Sequence, residues 1–139
     1  VELSNKLSRL GFSHMNGRRW QIECYPHPAI IEIFDLNERL KYKKGRVQEK
    51  KAGQIELARL INLLSSSPIL KLTAGDSAAR YGDAKNIELL KGRALKSNED
   101  ALDAIICLYI AALHYIGGVG RTFGNVTDGY IWVPQRACV

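Results

Sequence analysis

The sequence predicts an α/β domain, and three observations carry that expectation. Leu102, Ile105, Ile106, Tyr109, Ile110 and Leu113 recur at helical spacing, the signature of one helix face turned toward a core. Ile55, Leu57, Leu60, Ile61 and Leu64 outline a second helix in the same way. Two short runs rich in aromatic and β-branched residues, Arg18 to Tyr25 and Tyr130 to Pro134, read as strands bounded by turn formers.

Taken in order, Leu3, Leu7 and Leu10 make Glu2 to Leu10 a short amphipathic helix that stops at Gly11. A turn at Asn16-Gly17 leads into the first strand, which Pro26 and Pro28 end because proline cannot continue a sheet ladder in its interior. Alternation puts Ile22 and Cys24 on one face of that strand and Gln21, Glu23 and Tyr25 on the other. Pro28 to Phe34 suggests a helical turn or two. A basic segment from Lys41 to Arg46 then leads into the second helix, which Ser65-Ser66-Ser67-Pro68 stops. Ile69 to Leu72 fits either strand or helix, and Thr73 to Asp83 reads as a loop or insertion. Asn86 to Leu90 is helical and ends near Gly92. The long apolar helix is expected to start at Ser97-Asn98 and to end at Gly117-Gly118, where the glycines act as a stop and turn.

With 139 residues, one hydrophobic core is possible without disulfides or structural metals, so a single domain over 1–139 is expected. Cys24, Cys107 and Cys138 are odd in number, widely spaced and without a C-x-x-C pair. That argues against a disulfide framework and a zinc knuckle and favours a reducing, cytoplasmic compartment. The longest apolar stretch, Ala104 to Leu113, is about half the roughly 20 residues a membrane span needs, so no membrane partner is expected. The chain opens on Val1 and has no signal-peptide pattern, which reads as processing or truncation. A net charge of +6 favours polyanionic partners such as nucleic acid.

Three acids are of the type that binds hard divalent cations. Asp100 and Asp103 stand three apart near the head of an apolar helix, so both carboxylates project from nearly the same side. Glu23 is a carboxylate within a strand. Each also has a structural reading. Ser97 and Asp100 resemble a capping box, Asp103 can be a partnered charge among apolar neighbours, and Glu23 can pair with Arg18, Arg19 or a lysine. Lys41, Lys43, Lys44 and Arg46 open a cationic run that can grip a phosphate backbone or simply be a solvated face, with Tyr42 offering weak support for base stacking. His14, His27 and His114 form no ligand pair, so zinc is not expected, and His114 reads as a core histidine. Gly117-Gly118-Val119-Gly120 follows a helix, the wrong context for cradling phosphate, which leaves nucleotide phosphoryl transfer without its loop.

Ile22-Glu23-Cys24-Tyr25-Pro26-His27-Pro28, Leu40-Lys41-Tyr42-Lys43-Lys44-Gly45 and Leu95 to Ala104 together resemble a family of uncharacterised predicted RNase H-like nucleases. Phe123-Gly124 and Asp128 to Pro134 fit its closing pattern, and Asp100-x-x-Asp103-Ala104 also resembles the last motif of the Holliday-junction resolvases. The resemblance implies an RNase H-like mixed sheet flanked by helices, in which acids from a first strand, a later strand and a C-terminal helix bind two Mg2+ or Mn2+ ions. Matched by motif, Glu23 is the later-strand acid and Asp100 with Asp103 the helix acids. Nothing before Glu23 matches the first-strand aspartate, so the chain is expected to be the C-terminal part of such a domain. Its partner is then the missing N-terminal segment or a second copy. The implied function is divalent-metal-dependent hydrolysis of phosphodiester bonds; the alternative is a non-catalytic nucleic-acid-binding or interaction module of the same fold.

Overall fold

The structure, a computed structural model, describes residues 2–135; Cys138 lies outside them. Among the described residues the chain is a mixed α/β fold of six α-helices and two small two-stranded sheets. The helices are α1 (Glu2–Arg9), α2 (Pro26–Phe34), α3 (Val47–Leu63), α4 (Asp76–Ala79), α5 (Ala84–Leu89) and α6 (Gly92–Tyr115). The strands are β1 (Ser13–His14), β2 (Trp20–Gln21), β3 (Gly120–Asn125) and β4 (Gly129–Pro134). No helix among the described residues is long and apolar enough to cross a membrane.

The core gathers on α6. Leu102, Ile106, Ile110 and Leu113 are buried along its length, and Ala29, Ile30 and Ile33 of α2 and Leu57, Ala58 and Ile61 of α3 pack into the same cluster. Trp132 closes it from β4 and Ile87 from α5. The buried stripe also runs back through Leu95 and Asn98, so the helix starts at Gly92 rather than at Ser97-Asn98. Ser97 is therefore inside the helix, which removes the capping-box reading of Asp100.

The expected strand from Arg18 to Tyr25 is in ladder form only at Trp20–Gln21, paired in parallel with Ser13–His14. The connection between these two strands is far shorter than the dozen or so residues a regular parallel crossover takes. It turns through left-handed backbone at Met15 and Gly17, with φ of 63° and 92°, and the pairing stops after two residues. Beyond Gln21 the strand is joined to β4 by the Trp132 N–H, which donates to the Glu23 carbonyl at 2.8 Å. The Tyr130 hydroxyl accepts from the Glu23 N–H at 3.1 Å and also reaches the Gln21 carbonyl. These bonds take the place of a continuous mixed sheet among the described residues.

The sequence pattern gave no sign of β3, whose residues lack apolar alternation. Its partner explains it. β3 pairs antiparallel with β4 along its full length, and the Trp132 indole lies where a Cβ at Gly120 would come within 2.2 Å. Gly124 sits at φ +87° against the Gly129 carbonyl, a close approach open only to glycine.

Gly53 of α3 governs the placement of the segment that precedes that helix. A Cβ there would stand 2.0 Å from the Lys41 carbonyl oxygen, so the 41–42 backbone lies directly on the helix. Backbone cannot move aside as a flexible side chain can, and overpacking of this kind costs about 1–3 kcal/mol. Gly53→Ala is expected to destabilise the protein by at least about 2 kcal/mol, measured as a lower urea midpoint, and to shift the NMR signals of Tyr42 and Lys43. An unchanged midpoint would show that the two segments separate freely.

Candidate functional site

The site is built where the 41–46 segment, the head of α2 and the first half of α6 meet. Tyr42 has 0% exposure, and its hydroxyl donates to Asp103 Oδ1 at 2.7 Å. Burial, then the hydrogen bond to Asp103, pushes the phenol above its ordinary range and keeps it a donor. Lys43 ion-pairs with Asp103 Oδ2 and also stands 5.3 Å from the Tyr42 ring centre. Asp103, with 22% of its side chain exposed, is thus held by one phenol and one ammonium. This is the partner that an acid flanked by Leu102, Ala104 and Ile105 requires.

His27, buried at the head of α2, tilts against the Tyr42 ring at 5.1 Å and meets Tyr25 edge-on at 5.4 Å. Burial holds its pKa below the ordinary imidazole value, aided by Arg39 and Lys43 and opposed by Asp103 and Glu99. These surroundings favour the neutral imidazole.

On α6, residues four apart stack on one face. Glu99, which is buried, therefore shares a face with Asp103 at i, i+4 spacing, as Asp100 does at i, i+3. The Glu99 and Asp103 carboxylates bear on His27 and Tyr42. Sequence reading missed Glu99 and His27; the signal available was the i, i+4 spacing of Glu99 and Asp103 once the helix start is moved back to Gly92. Asp100 is held outward, 62% exposed, where Lys96 bridges it at 2.8 Å and Glu99 at 2.7 Å. Asp100 and Asp103 are thus engaged by different lysines.

Glu23 is exposed, whereas Gln21, assigned to the same face, is buried; the Glu23 backbone is fixed by Tyr130 and Trp132. Its neighbour Cys24 faces inward and shares a hydrogen bond with Cys107, one turn beyond Asp103, so this strand runs beside the acidic part of α6. That bond pushes the Cys24 thiol up and draws Cys107 down. Among the described residues, no group of three or more His, Cys, Asp or Glu side chains is placed to hold a metal ion.

The four cations divide. Lys43 turns inward to Asp103, whereas Lys41 and Lys44 line a cavity of about 550 Å³ with Arg39, Glu38, Gly45 and Glu49. Arg46 is exposed, and its N–H donates to Glu49 at the start of α3. Tyr42, being buried, is not available for base stacking.

A family described as "Protein of unknown function (DUF429)" matches residues 1–128. No curated protein and no solved structure matches the chain.

One buried and one half-buried histidine make stability depend on pH. His114 meets Trp20 and Trp132 edge-on at 4.8 and 4.9 Å, and burial lowers its pKa as it does that of His27. A folded-state pKa below the unfolded value of about 6.5 means that unfolding takes up protons once pH drops below that value. The stabilisation is fully present above about pH 6.5 and is lost as pH falls through the folded pKa values. Urea midpoints should therefore drop between pH 7.5 and 5.5, and by less in a His27→Asn, His114→Asn double variant. An equal drop in both proteins would place the titration elsewhere.

Proposed function

The chain belongs to this DUF429 family, and from the arrangement around Asp103 we propose that it is part of an RNase H-like, divalent-metal-dependent nuclease. The observation that carries the reading is Asp103 itself. It is an acid set among apolar residues, fixed by a fully buried phenol, with Glu99 one turn earlier and a mobile type of cation, a lysine, as its counter-charge. Anionic oxygen donors are what Mg2+ and Mn2+ take. In this reading Asp103, Asp100 and Glu23 would hold the ion only once it draws them together, since no three acids among the described residues stand in metal-binding position. A bound ion of this kind supplies an activated water and neutralises charge on the phosphoryl oxygens.

The chain's own residues do the rest. Tyr42 orients the Asp103 carboxylate by donating to one oxygen and leaving the other to its cation. Lys41 and Lys44 offer charge for a nucleic-acid backbone beside the site. Two ions need several carboxylates, and in this reading a further acid comes from a partner chain or an additional segment.

A second reading is favoured by one specific observation: Asp103, Asp100 and Glu99 all have a lysine counter-charge already. If those pairs are permanent, the chain is a non-catalytic nucleic-acid-binding or interaction module. Calorimetric titration with Mn2+ separates the two. In the nuclease reading the protein binds Mn2+, and Asp103→Asn lowers the affinity at least about tenfold, the scale seen when support of a metal site is lost. The variant stays folded, because the amide keeps an oxygen that accepts from Tyr42, while the lost Lys43 pair lowers the urea midpoint. Unchanged Mn2+ affinity, or none in either protein, gives Asp103 to structure and leaves the second reading.

A further inference from the structure

Lys43, Lys50 and Lys96 stand around one polar cavity of about 150 Å³, walled also by Gln54, Gly92 and Glu99. They come from three segments: the 41–46 loop, α3 and α6. Three lysines and one glutamate are among the residues that line it. Lys43 is drawn aside by Asp103, and Lys96 by Glu99 and Asp100. Lys50 is partly buried and makes no ion pair or side-chain hydrogen bond among the described residues. Lys50 is therefore the cavity's one lysine with no acid already assigned to it among the described residues. Gly92 is the first residue of α6, and Lys91 before it supplies no capping side chain. The first-turn amides and the positive end of a long helix dipole therefore add to the lysines. The volume is well below the roughly 300 Å³ of pockets that enclose whole small molecules. It suits a single tetrahedral group.

We propose that this cavity is a subsite for one phosphate of a nucleic-acid backbone, gripped by Lys50 and joined by Lys43 and Lys96 when their acids give them up. The identification of the phosphate as nucleic acid rests on the nuclease reading; the site itself rests on the three lysines. A coupling follows from the geometry. Lys43 serves Asp103 or the phosphate, and Lys96 serves Glu99 and Asp100 or the phosphate, so neutralising an acid strengthens anion binding. The acids that suit a divalent cation are thereby linked to the site that suits its substrate.

The test titrates the full chain, in EDTA, with inorganic phosphate and separately with a short single-stranded oligonucleotide, following the amide signals of Lys50 and Gly92 by NMR. Both ligands should shift these signals. Lys50→Gln should weaken both about tenfold, the worth of one charge-assisted hydrogen bond, while Lys50→Arg retains binding within about threefold. Asp103→Asn keeps an acceptor for Tyr42 but frees Lys43, and should tighten both ligands severalfold. Neither ligand shifting Gly92, or Lys50→Gln leaving affinity unchanged, overturns the subsite and leaves the Mn2+ titration to judge the nuclease reading on its own. Phosphate binding without oligonucleotide binding overturns the nucleic-acid assignment and counts against the nuclease reading with it.

Discussion

The hydrogen bond from the Tyr42 hydroxyl to Asp103 is the constraint on which the site depends. The ring is wholly enclosed, so its one polar atom must find a partner inside the fold, and the carboxylate one turn past Glu99 provides it. That bond places the 41–46 segment against α6, and the Gly53 backbone lets the same segment lie flat on α3. Lys43 follows from it, since its ammonium can reach Asp103 only because Tyr42 is anchored beside it. Loss of this bond would leave a buried phenol without a partner, and would release the loop that carries Lys41, Lys43, Lys44 and Arg46.

Much of the helical part of the fold was legible because it rests on apolar spacing. Leu57, Leu60 and Ile61 and the stripe from Leu102 to Leu113 are buried as their periodicity requires. Glu23 and Cys24 point to opposite sides as alternation requires, although only Trp20 and Gln21 stand in a ladder. What escaped the sequence depends on tertiary partners. β3 is a strand because β4 holds it and because glycines admit the Trp132 ring. Tyr42 looked like a stacking residue in a basic run, yet Asp103, distant in sequence, takes it into the core. The head of α6 was placed late because Asn98 looks like a helix start, whereas its amide donates to the Gln54 side chain at 3.0 Å inside the fold. A helix start at Gly92 puts Glu99 inside the helix on the face of Asp103, which a start at Asn98 conceals.

The charges around α6 form an interleaved set in which acids and lysines compete for one another. Such pairing keeps half-buried carboxylates from standing alone, and an isolated lysine–carboxylate contact near the surface contributes little to stability in itself. Its value lies in being exchangeable. A divalent cation outcompetes an ammonium for carboxylate oxygens when several donors converge, and the ammonium it displaces then needs an anion. In the proposed reading, acids on one side of Lys43 and the lysine-lined cavity on the other would take a cation and a phosphate together. The same interleaving would serve a purely structural role if the acids never release their lysines.

The most direct measurement of the central claim is paramagnetic broadening by Mn2+ in the folded chain, read residue by residue from the backbone amide signals. If Asp103 is the centre of a cation site, sub-stoichiometric Mn2+ broadens the amides around Asp103 and Asp100 on α6 and around Glu23 on the neighbouring strand first. The same addition should also shift the Lys43 ammonium away from its paired position. Broadening spread evenly over the exposed acids, with the Tyr42, Lys43 and Asp103 signals untouched, would contradict it and leave Asp103 as the structural partner of a buried tyrosine.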